Sequence, residues 1–372
     1  MANKRAMGII FANMHDGFLG ELTSHRSLGA VPYGGRYRVI DFSLSNMTNA
    51  GIHDVGIITH SNYQSLMDHL GSGREWDLAR KWGGLSILPP YAGTTLGFNS
   101  GRMESLAGVI SYIKRTQAEF VVLSDCDMVA NLDLSAIIEE HAQSGADVTI
   151  AYRKDYLTGE HKDSTTLVLD GAGRVREVLL NPTHAGTYNV YLNIAVMEKA
   201  FLENLVQEMA SRNLRSFRRD VLQEGSKFMN IKAVEIHEPC LKIDSIRAYY
   251  DANMQMLDPK IRAALFTRDR PIYTRVRDEA PAKYGLNAAA CNSLVADGAV
   301  IEGRVENCII FRGAKVRRGS VVKNSVIMEG TIIGEQVSLD CVITDKRVRI
   351  QDGRTLMGFH TYPLYIPKES AI

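Results

Sequence analysis

The sequence lacks the features that identify several large classes of protein. Its 372 residues carry a net charge of only +1, so there is no basic excess of the kind that binds nucleic acid. No apolar run approaches the ~20 residues needed to cross a bilayer. The ten histidines show neither H-x-E nor H-E-x-x-H spacing, and the five cysteines form no C-x-x-C pair. We therefore expect no nucleic-acid partner and no membrane partner. The cysteines are odd in number and irregularly spaced, which indicates a cytoplasmic location.

The first part of the chain alternates strand patterns with helix patterns. Residues 2–5 are basic, but the apolar stretch behind them is short, which indicates a first strand at Met7–Ala12 and not a signal peptide. The alternation predicts an α/β domain, a Rossmann-like mixed sheet with helices on both faces. In a nucleotide-binding domain of this kind small residues follow the first strand, where the backbone approaches phosphates. Here residues 13–18 read Asn-Met-His-Asp-Gly-Phe, which does not suit that task.

From about Asn292 the pattern becomes a short repeat. Apolar residues from Val295 to Val348 recur about every five to seven positions, with Gly or Asn in many of the gaps. This hexapeptide-type repeat predicts a left-handed parallel β-helix, and a meander of short antiparallel strands is the alternative. With the Pro-containing stretch before it, the repeat divides the chain into an α/β domain at 1–255, a linker at 256–291 and a β-helix domain at 292–372.

Three sequence blocks carry a resemblance to a known family. They read AVPYGGRYRVIDFSLSNMTNAGI from Ala30, AEFVVLSDCDMVANLDLS from Ala118 and PIYTRVRDEAPAKYG from Pro271. In these blocks the sequence resembles the bacterial ADP-glucose pyrophosphorylases, also called glucose-1-phosphate adenylyltransferases. The resemblance covers nearly the whole chain. It implies a nucleotidyltransferase (GT-A-like) domain, Mg²⁺ as cofactor, and conversion of ATP and glucose 1-phosphate into ADP-glucose and pyrophosphate for glycogen.

The same resemblance implies that the phosphate-binding positions have changed. The family's loop after the first strand ends in an Arg that contacts the triphosphate, and Phe18 stands at that position. Asp16 would add negative charge where phosphates sit. The family's Lys-Pro after the next Arg is matched here by Leu28 and Gly29.

The implied metal site is changed as well. Asp127 matches the family's first metal-binding Asp, but the second aligns with Lys242. Asp244 could replace the second acid only if the local backbone shifts. Lys242 could instead serve as a tethered cation beside Asp127. We therefore expect Mg²⁺ not to bind productively, and Asp127 to be a relic.

The sugar site has also lost its charged groups. The family's F-V-E-K-P supplies a Glu to the glucose and a Lys to its phosphate, and the matching residues are Leu180 and Asn181. Only Gly101 remains of the family's G-T-A-D-A motif. Because phosphoryl-type transfer depends on charge neutralisation and positioning, several such losses together should leave little turnover.

The chain therefore resembles the D-type partner subunit of the family, known from Gram-positive bacteria. This resemblance implies a regulatory or activity-enhancing role beside the catalytic subunit in a heterotetramer. An active adenylyltransferase that uses Asp127 and Asp244 in a rearranged site is the alternative. Two further classes are an acyltransferase, since hexapeptide β-helices also build those enzymes, and a purely structural oligomerisation protein.

A regulatory role implies an effector site. The family's effectors are anions, often sugar phosphates, which bind between the domains, and Arg26 and Arg38 match two basic positions of that site. Structural ion pairing of these arginines with Asp41 or another acid is the alternative. The basic run FRGAKVRRGSVVK at 311–323 offers further cations, or else a solvated face.

Overall fold

A mixed sheet forms the centre of the N-terminal part. The computed structural model describes residues 6–89, 101–158 and 163–372. The strands of this part are β1 (Ala6–Phe11), β2 (Pro32–Tyr33), β3 (Tyr37–Arg38), β4 (Asp54–Ile58), β5 (Gly84–Leu88), β6 (Phe120–Asp125), β7 (Met128–Ala130), β8 (Val148–Leu157), β9 (Thr165–Leu169), β10 (Val175–Leu180), β11 (Gly186–Glu198), β12 (Ile231–Glu235) and β13 (Cys240–Lys242). The large sheet has the order β10-β9-β11-β6-β1-β4-β5, and β8 joins β11 to β12.

Helices cover the sheet on both faces. They are α1 (Val39–Asn49), α2 (Gln64–Leu70), α3 (Arg102–Gly108), α4 (Ile110–Arg115), α5 (Leu134–Ser144), α6 (Lys199–Ser211), α7 (Ile246–Gln255) and α8 (Pro259–Leu265), with a π-helical turn at Phe217–Gln223. Two buried apolar clusters occupy the two sides of the sheet. The predicted mixed sheet with helices is thus confirmed. None of the described helices has the length and apolar character needed to span a membrane.

A short break separates α3 from α4. The apolar pattern at 103–116 predicts one helix, but α3 ends at Gly108 and α4 begins at Ile110. Val109 lies between them at φ −111° and ψ 13°, outside helical geometry. Glycine is a poor helix former, which explains why the break falls beside Gly108. The helix α5 ends at Ser144, and Gly145 follows it with a φ of 60°, a conformation that suits glycine at a helix C-terminus.

The C-terminal part is a parallel β-helix with three sheets. Its strands are β14 (Lys283–Tyr284), β15 (Ala289–Cys291), β16 (Leu294–Val295), β17 (Val300–Ile301), β18 (Arg304–Glu306), β19 (Ile309–Ile310), β20 (Lys315–Val316), β21 (Val321–Lys323), β22 (Val326–Ile327), β23 (Ile332–Ile333), β24 (Ser338–Asp340), β25 (Val342–Thr344), β26 (Arg349–Ile350), β27 (Thr355–Met357) and β28 (Leu364–Ile366). Every third strand pairs in parallel, which gives the sheets β14-β17-β20-β23-β26, β15-β18-β21-β24-β27 and β16-β19-β22-β25-β28. The β-helix is therefore confirmed in place of the antiparallel meander.

The three sheets enclose an aliphatic interior. One residue of each short strand points inward, as Val305, Val322 and Leu339 do in successive coils. The ladders begin at Lys283, ahead of the boundary predicted at residue 292, and α8 lies within the stretch predicted as linker. The short strands before residue 292 carry few aliphatic residues, so the repeat is weak there.

An apolar interface joins the two domains. It places Tyr33, Val39 and Phe42 from the start of the chain against Ile309 and Phe311 of the β-helix, together with residues of α7. All of these side chains are buried. The β-helix is therefore attached to the α/β domain through a shared apolar cluster, separate from the interior of the β-helix itself.

Candidate functional site

The carboxyl ends of β1 and β6 define the cleft where a ligand of an α/β sheet binds. The two strands are parallel neighbours, and Phe11 at the end of β1 lies opposite Asp125 at the end of β6. The loop after β1 and the residues Asp125–Asp127 therefore meet at one edge of the sheet. Ligand sites of open α/β sheets lie at this edge.

His15 lies in the loop after β1, and three carboxylates surround its imidazole. Its Nε2 lies 2.7 Å from Asp125 Oδ2 and 3.6 Å from Asp127 Oδ2. Its Nδ1 lies 3.1 Å from Asp163 Oδ2. The ring of Phe18 stacks on the imidazole with 6.2 Å between centroids. A single side chain thus connects the neighbouring acids Asp125 and Asp127 with Asp163, which lies farther along the chain.

Arg102 and Asn193 donate further hydrogen bonds to Asp125 and Asp127. Arg102, the first residue of α3, pairs with Asp125 and lies over the ring of Phe11. Asn193 donates from Nδ2 to Asp127 Oδ2 at 2.7 Å. Asn193 stands at a register shift of β11 with a φ of 60°, and such irregularities redirect side chains toward sites.

The cluster balances its charges internally. Burial works to lower the pKa of His15, but the charge of Asp127 and hydrogen bonds to the two other carboxylates outweigh it and raise the pKa to about 10. The imidazole is therefore an imidazolium at neutral pH. Arg218 pairs with Asp163, whose pKa is lowered to about 2 by His15 and Arg218 against the opposing effect of burial. We call this group the carboxylate cluster, with three acids and three cations: Asp125, Asp127, Asp163, His15, Arg102 and Arg218.

The residues of the carboxylate cluster do not fit a magnesium ion. His15, Asp125 and Asp127 bring one ligand atom each within 4.8 Å of one another, which is the spacing of a cation site. Mg²⁺ requires near-octahedral oxygen ligands at about 2.1 Å. Here N–H groups of His15 and Arg102 hold Asp125 Oδ2, and Asn193 holds Asp127 Oδ2. One oxygen of each acid therefore already accepts hydrogen bonds, and the imidazole of His15 takes up the space next to both.

Lys242, the predicted tethered cation, lies near Asp127. It lies on β13 opposite Met128 of β7, and its ammonium pairs with Asp244 Oδ2 at 3.7 Å. Lys242 and Asp127 line the same pocket. His15 supplies a second cation here, with its Nε2 at 3.6 Å from Asp127 Oδ2. The roles of Lys242 and Asp244 stay predictions.

The changed residues of the first loop have structural contacts. Asp16 Oδ1 accepts a hydrogen bond from the backbone N–H of Leu28 at 2.7 Å, which holds its carboxylate within the loop. Burial raises the pKa of Asp16 to about 7. Leu28 is buried in the interface core, whereas Phe18 is 43% exposed apart from its contact with His15.

Gly101, Leu180 and Asn181, the residues at the predicted sugar-site positions, also have local structural contacts. A Cβ on Gly101 would lie 2.1 Å from the carbonyl oxygen of Arg215, so only glycine fits there. Leu180 ends β10 and packs against the core of one sheet face. Asn181 follows at a φ of 52°, a turn conformation that asparagine tolerates well.

A second site lies between the domains. We call it the interdomain cleft, a space of about 560 Å³ with two acids and many cations. Its charged and basic lining comprises His25, Arg26, Arg38, Asp68, Arg275, Arg277, Glu329, Lys346, Arg347 and Lys368. An adjoining pocket adds Arg36 and Arg312, the latter from the basic run at 311–323.

The two predicted effector arginines differ in their contacts. Arg26 Nη2 donates to both oxygens of Asp345 at 2.6 and 2.8 Å, which is the structural pairing considered as the alternative. The guanidinium of Arg38 donates to the backbone oxygen and hydroxyl of Ser65 at 2.5 and 2.9 Å. Asp41 accepts from the backbone N–H of Arg38 and not from its side chain.

The interdomain cleft concentrates positive charge. Burial and the nearby Arg38 lower the pKa of Lys346 to about 8, although Glu329 at 3.0 Å opposes this. Burial likewise lowers the pKa of Arg38 to about 10. Cations with lowered pKa values in one cleft are poised to accept an anion, because it would replace the lost solvation.

Sequence reasoning missed most of the carboxylate cluster. It placed Asp127 at the metal position but gave no role to His15, Asp125, Asp163 or Arg102. Asp125 and His15 are 110 residues apart. The Asp-Cys-Asp end of β6 opposite a loop that contains a histidine was the available signal.

Comparison with known proteins places this geometry in a family. The family model for nucleotidyl transferases matches residues 19–215, and the model for the GlmU-like C-terminal hexapeptide region matches residues 280–361. The chain is 35% identical to the glycogen biosynthesis protein GlgD of Bacillus subtilis (strain 168), over 99% of this chain and 97% of that protein. It is 34% identical to GlgD of Geobacillus stearothermophilus, over 86% and 83% of the two chains. It is 30% identical to a glucose-1-phosphate adenylyltransferase of Bacillus cereus (strain Q1), over 95% of each. The resemblance found in the sequence is thereby confirmed, and the chain belongs to the bacterial glucose-1-phosphate adenylyltransferase family of nucleotidyl transferases, alongside its GlgD-type members.

Proposed function

We propose that this chain is a regulatory subunit of ADP-glucose synthesis in glycogen formation, with little or no turnover of its own. It acts in a hetero-oligomer, a heterotetramer by family resemblance, with the catalytic glucose-1-phosphate adenylyltransferase. The observation that carries the proposal is the carboxylate cluster. Asp127, which matches the family's first metal-binding Asp, accepts a hydrogen bond from Asn193 and lies 3.6 Å from the imidazole of His15, while His15 and Arg102 pair with the neighbouring Asp125.

The changes in the neighbouring loops support the same conclusion. Phe18, Leu28, Leu180 and Asn181 have packing or turn roles in place of the phosphate and sugar contacts that the family resemblance implies. Removal of one charge-stabilising group commonly lowers a rate about 10²–10³-fold. The losses need not add, but together they are expected to make turnover by the isolated chain very small.

Kinetics of the isolated and the mixed proteins test this function. Pyrophosphate release from ATP and glucose 1-phosphate is measured for this chain alone, for the catalytic paralogue of the same organism, and for both together. We expect near-background activity alone and a changed rate or effector response in the mixture. Turnover alone that is comparable with the paralogue would contradict the impaired site, and an unchanged rate and particle size in the mixture would contradict the partnership.

The interdomain cleft is the proposed effector site. Its many cations and the depressed pKa of Lys346 favour a small anion with more than one charge, such as a sugar phosphate. Arg38 is the proposed phosphate contact, because a serine and not a carboxylate holds its guanidinium. Arg26 is committed to Asp345 and is proposed to shape the cleft wall.

The end of the β-helix offers a surface for the partner subunit. Phe359 and Tyr362 exchange two backbone hydrogen bonds in a tight turn, and their rings are 77% and 80% exposed. Met357 precedes them on β27 and is 66% exposed. We call these three residues the terminal apolar patch. Exposed aromatic residues of this kind are enriched at the centres of protein interfaces.

A further inference from the structure

The carboxylate cluster has the layout of a cation site that the chain fills with its own side chains. We infer that the imidazole of His15, with the guanidinium of Arg102, stands in for the divalent metal, and that removal of the imidazole opens a divalent-cation site between Asp125 and Asp127. The inference rests on the positions of these groups and does not depend on the proposed partner subunit.

The position of the imidazole carries the first step. His15 Nε2 lies between the two carboxylates, at 2.7 Å from one and 3.6 Å from the other. A metal that bridged Asp125 and Asp127 would occupy this same space. Because His15 is buried beneath Phe18, the imidazole cannot swing into solvent without disturbing the stacked ring.

The carboxylates themselves carry the second step. Their ligand atoms lie within 4.8 Å of each other, so small rotations of both side chains would bring them to about 2.1 Å from one ion. Asp125 Oδ1 is buried and has no hydrogen-bond partner among the described residues. A buried carboxylate oxygen without a donor is costly, and it is a ready ligand for a hard cation.

The remaining contacts explain why the site would survive the loss of the imidazole. Arg102 holds Asp125 from the side of α3, and Asn193 holds Asp127 from β11. Arg102 begins α3 and Asn193 belongs to β11, so neither contact passes through the loop that carries His15. The acids would therefore stay in place, in the way that outer hydrogen bonds orient metal ligands.

Manganese titration of the full chain tests the inference. Free Mn²⁺ is measured by electron paramagnetic resonance with the wild type, His15→Ala and the double variant His15→Ala/Asp127→Asn. We expect no saturable site in the wild type, one site per chain in His15→Ala, and at least ~10–100-fold weaker binding in the double variant. His141→Ala is the matched control, since it also removes a buried imidazole but lies on α5, away from the cluster.

Thermal unfolding supplies a second readout. Added Mg²⁺ should raise the Tm of His15→Ala and leave the Tm of the wild type and of His141→Ala unchanged, since only a ligand of the folded state stabilises it. His15→Asn, which keeps a shorter side chain with one donor, replaces His15→Ala if the latter does not fold. A folded His15 variant without Mn²⁺ binding would overturn the inference.

Measurement of Mn²⁺ binding by the wild type tests the inference even if no His15 variant folds. Saturable binding of one Mn²⁺ by the wild type that Asp127→Asn abolishes would show that the imidazole does not exclude a metal. No saturable binding would support the inference. Neither result bears on whether the chain changes the rate of a catalytic partner, so failure here and failure of the proposed function remain distinguishable.

Discussion

Replacement of Asp345 by asparagine should destabilise the whole molecule, because this residue joins the two domains. Asp345 on the β-helix is 1% exposed and accepts both short hydrogen bonds from Arg26, which is 3% exposed. Tyr365 also donates its hydroxyl to Asp345 Oδ2 at 2.8 Å. Asparagine would leave the guanidinium of Arg26 buried without a counter-charge.

The size of the effect follows from that burial. Removal of one partner of a buried ion pair costs about 3–5 kcal/mol, far more than the ~0–1 kcal/mol of an exposed pair. We therefore expect Asp345→Asn to lower the free energy of unfolding by about 3–5 kcal/mol in urea denaturation followed by circular dichroism. The exposed pair Lys227–Glu224 provides a control, and Glu224→Gln should change the stability by less than about 1 kcal/mol.

A double substitution distinguishes the loss of the ion-pair attraction from the cost of leaving the guanidinium of Arg26 buried without a partner. Arg26→Met/Asp345→Asn removes both charges, so it should recover part of the stability that Asp345→Asn loses. Two results would contradict the buried structural role of this pair. One is a loss of less than about 1 kcal/mol in the free energy of unfolding of Asp345→Asn. The other is a double variant that is less stable than Asp345→Asn by as much as Arg26→Met alone destabilises the wild type.

Four further outcomes are expected. Gly101→Ala should lower the free energy of unfolding by about 1–3 kcal/mol in urea, because its Cβ would meet the Arg215 carbonyl, whereas Gly108→Ala, with open space, should not destabilise. Arg38→Ala should weaken the response of the mixed enzyme to a sugar phosphate, and an equal response would remove Arg38 from the site. Anion affinity of the interdomain cleft should fall as pH rises through about 8, where Lys346 loses its charge, and isothermal titration at pH 7 and 9 would reveal a flat profile if Lys346 took no part. Phe359→Ser/Tyr362→Ser should reduce co-purification with the catalytic subunit while the equally exposed Phe228→Ser does not, and equal recovery of both would exclude the terminal apolar patch.

The regular parts of the fold could be predicted because they depend on local periodicity. The apolar runs of β1 and β6 and the one-sided pattern of α5 mark buried elements directly. The β-helix coils follow one another at a constant spacing along the chain, as the strand pairs Lys315–Ile332 and Ile332–Arg349 show. This constant spacing is what the sequence repeat reveals. The first coil escaped prediction since its strands carry alanine and tyrosine, with much of their surface exposed.

The candidate site was only partly predictable, because it depends on contacts between distant residues. The family resemblance located Asp127 and the positions where charged residues of the family are replaced here, but a sequence comparison cannot show which side chains surround Asp127. His15 contacts the acids only because the loop after β1 folds over them, and Asp163 and Arg218 come from other parts of the chain. Likewise, Arg26 and Arg38 are similar in sequence context but differ in their partners, a carboxylate in one case and a serine in the other.

The family signature near the N-terminus has a structural role. In the segment Tyr33–Phe42, Tyr33 and Phe42 pack edge to face within the interface core, and Tyr33 donates its hydroxyl to the backbone of α7 at 2.9 Å. Gly35, at a φ of 88°, brings its backbone close to the carbonyl of Ile310. These contacts attach the β-helix to the α/β domain whether or not the cleft binds a nucleotide. The chain would therefore require this segment to keep the domain arrangement, and with it the interdomain cleft, intact, whatever the activity of its nucleotide cleft.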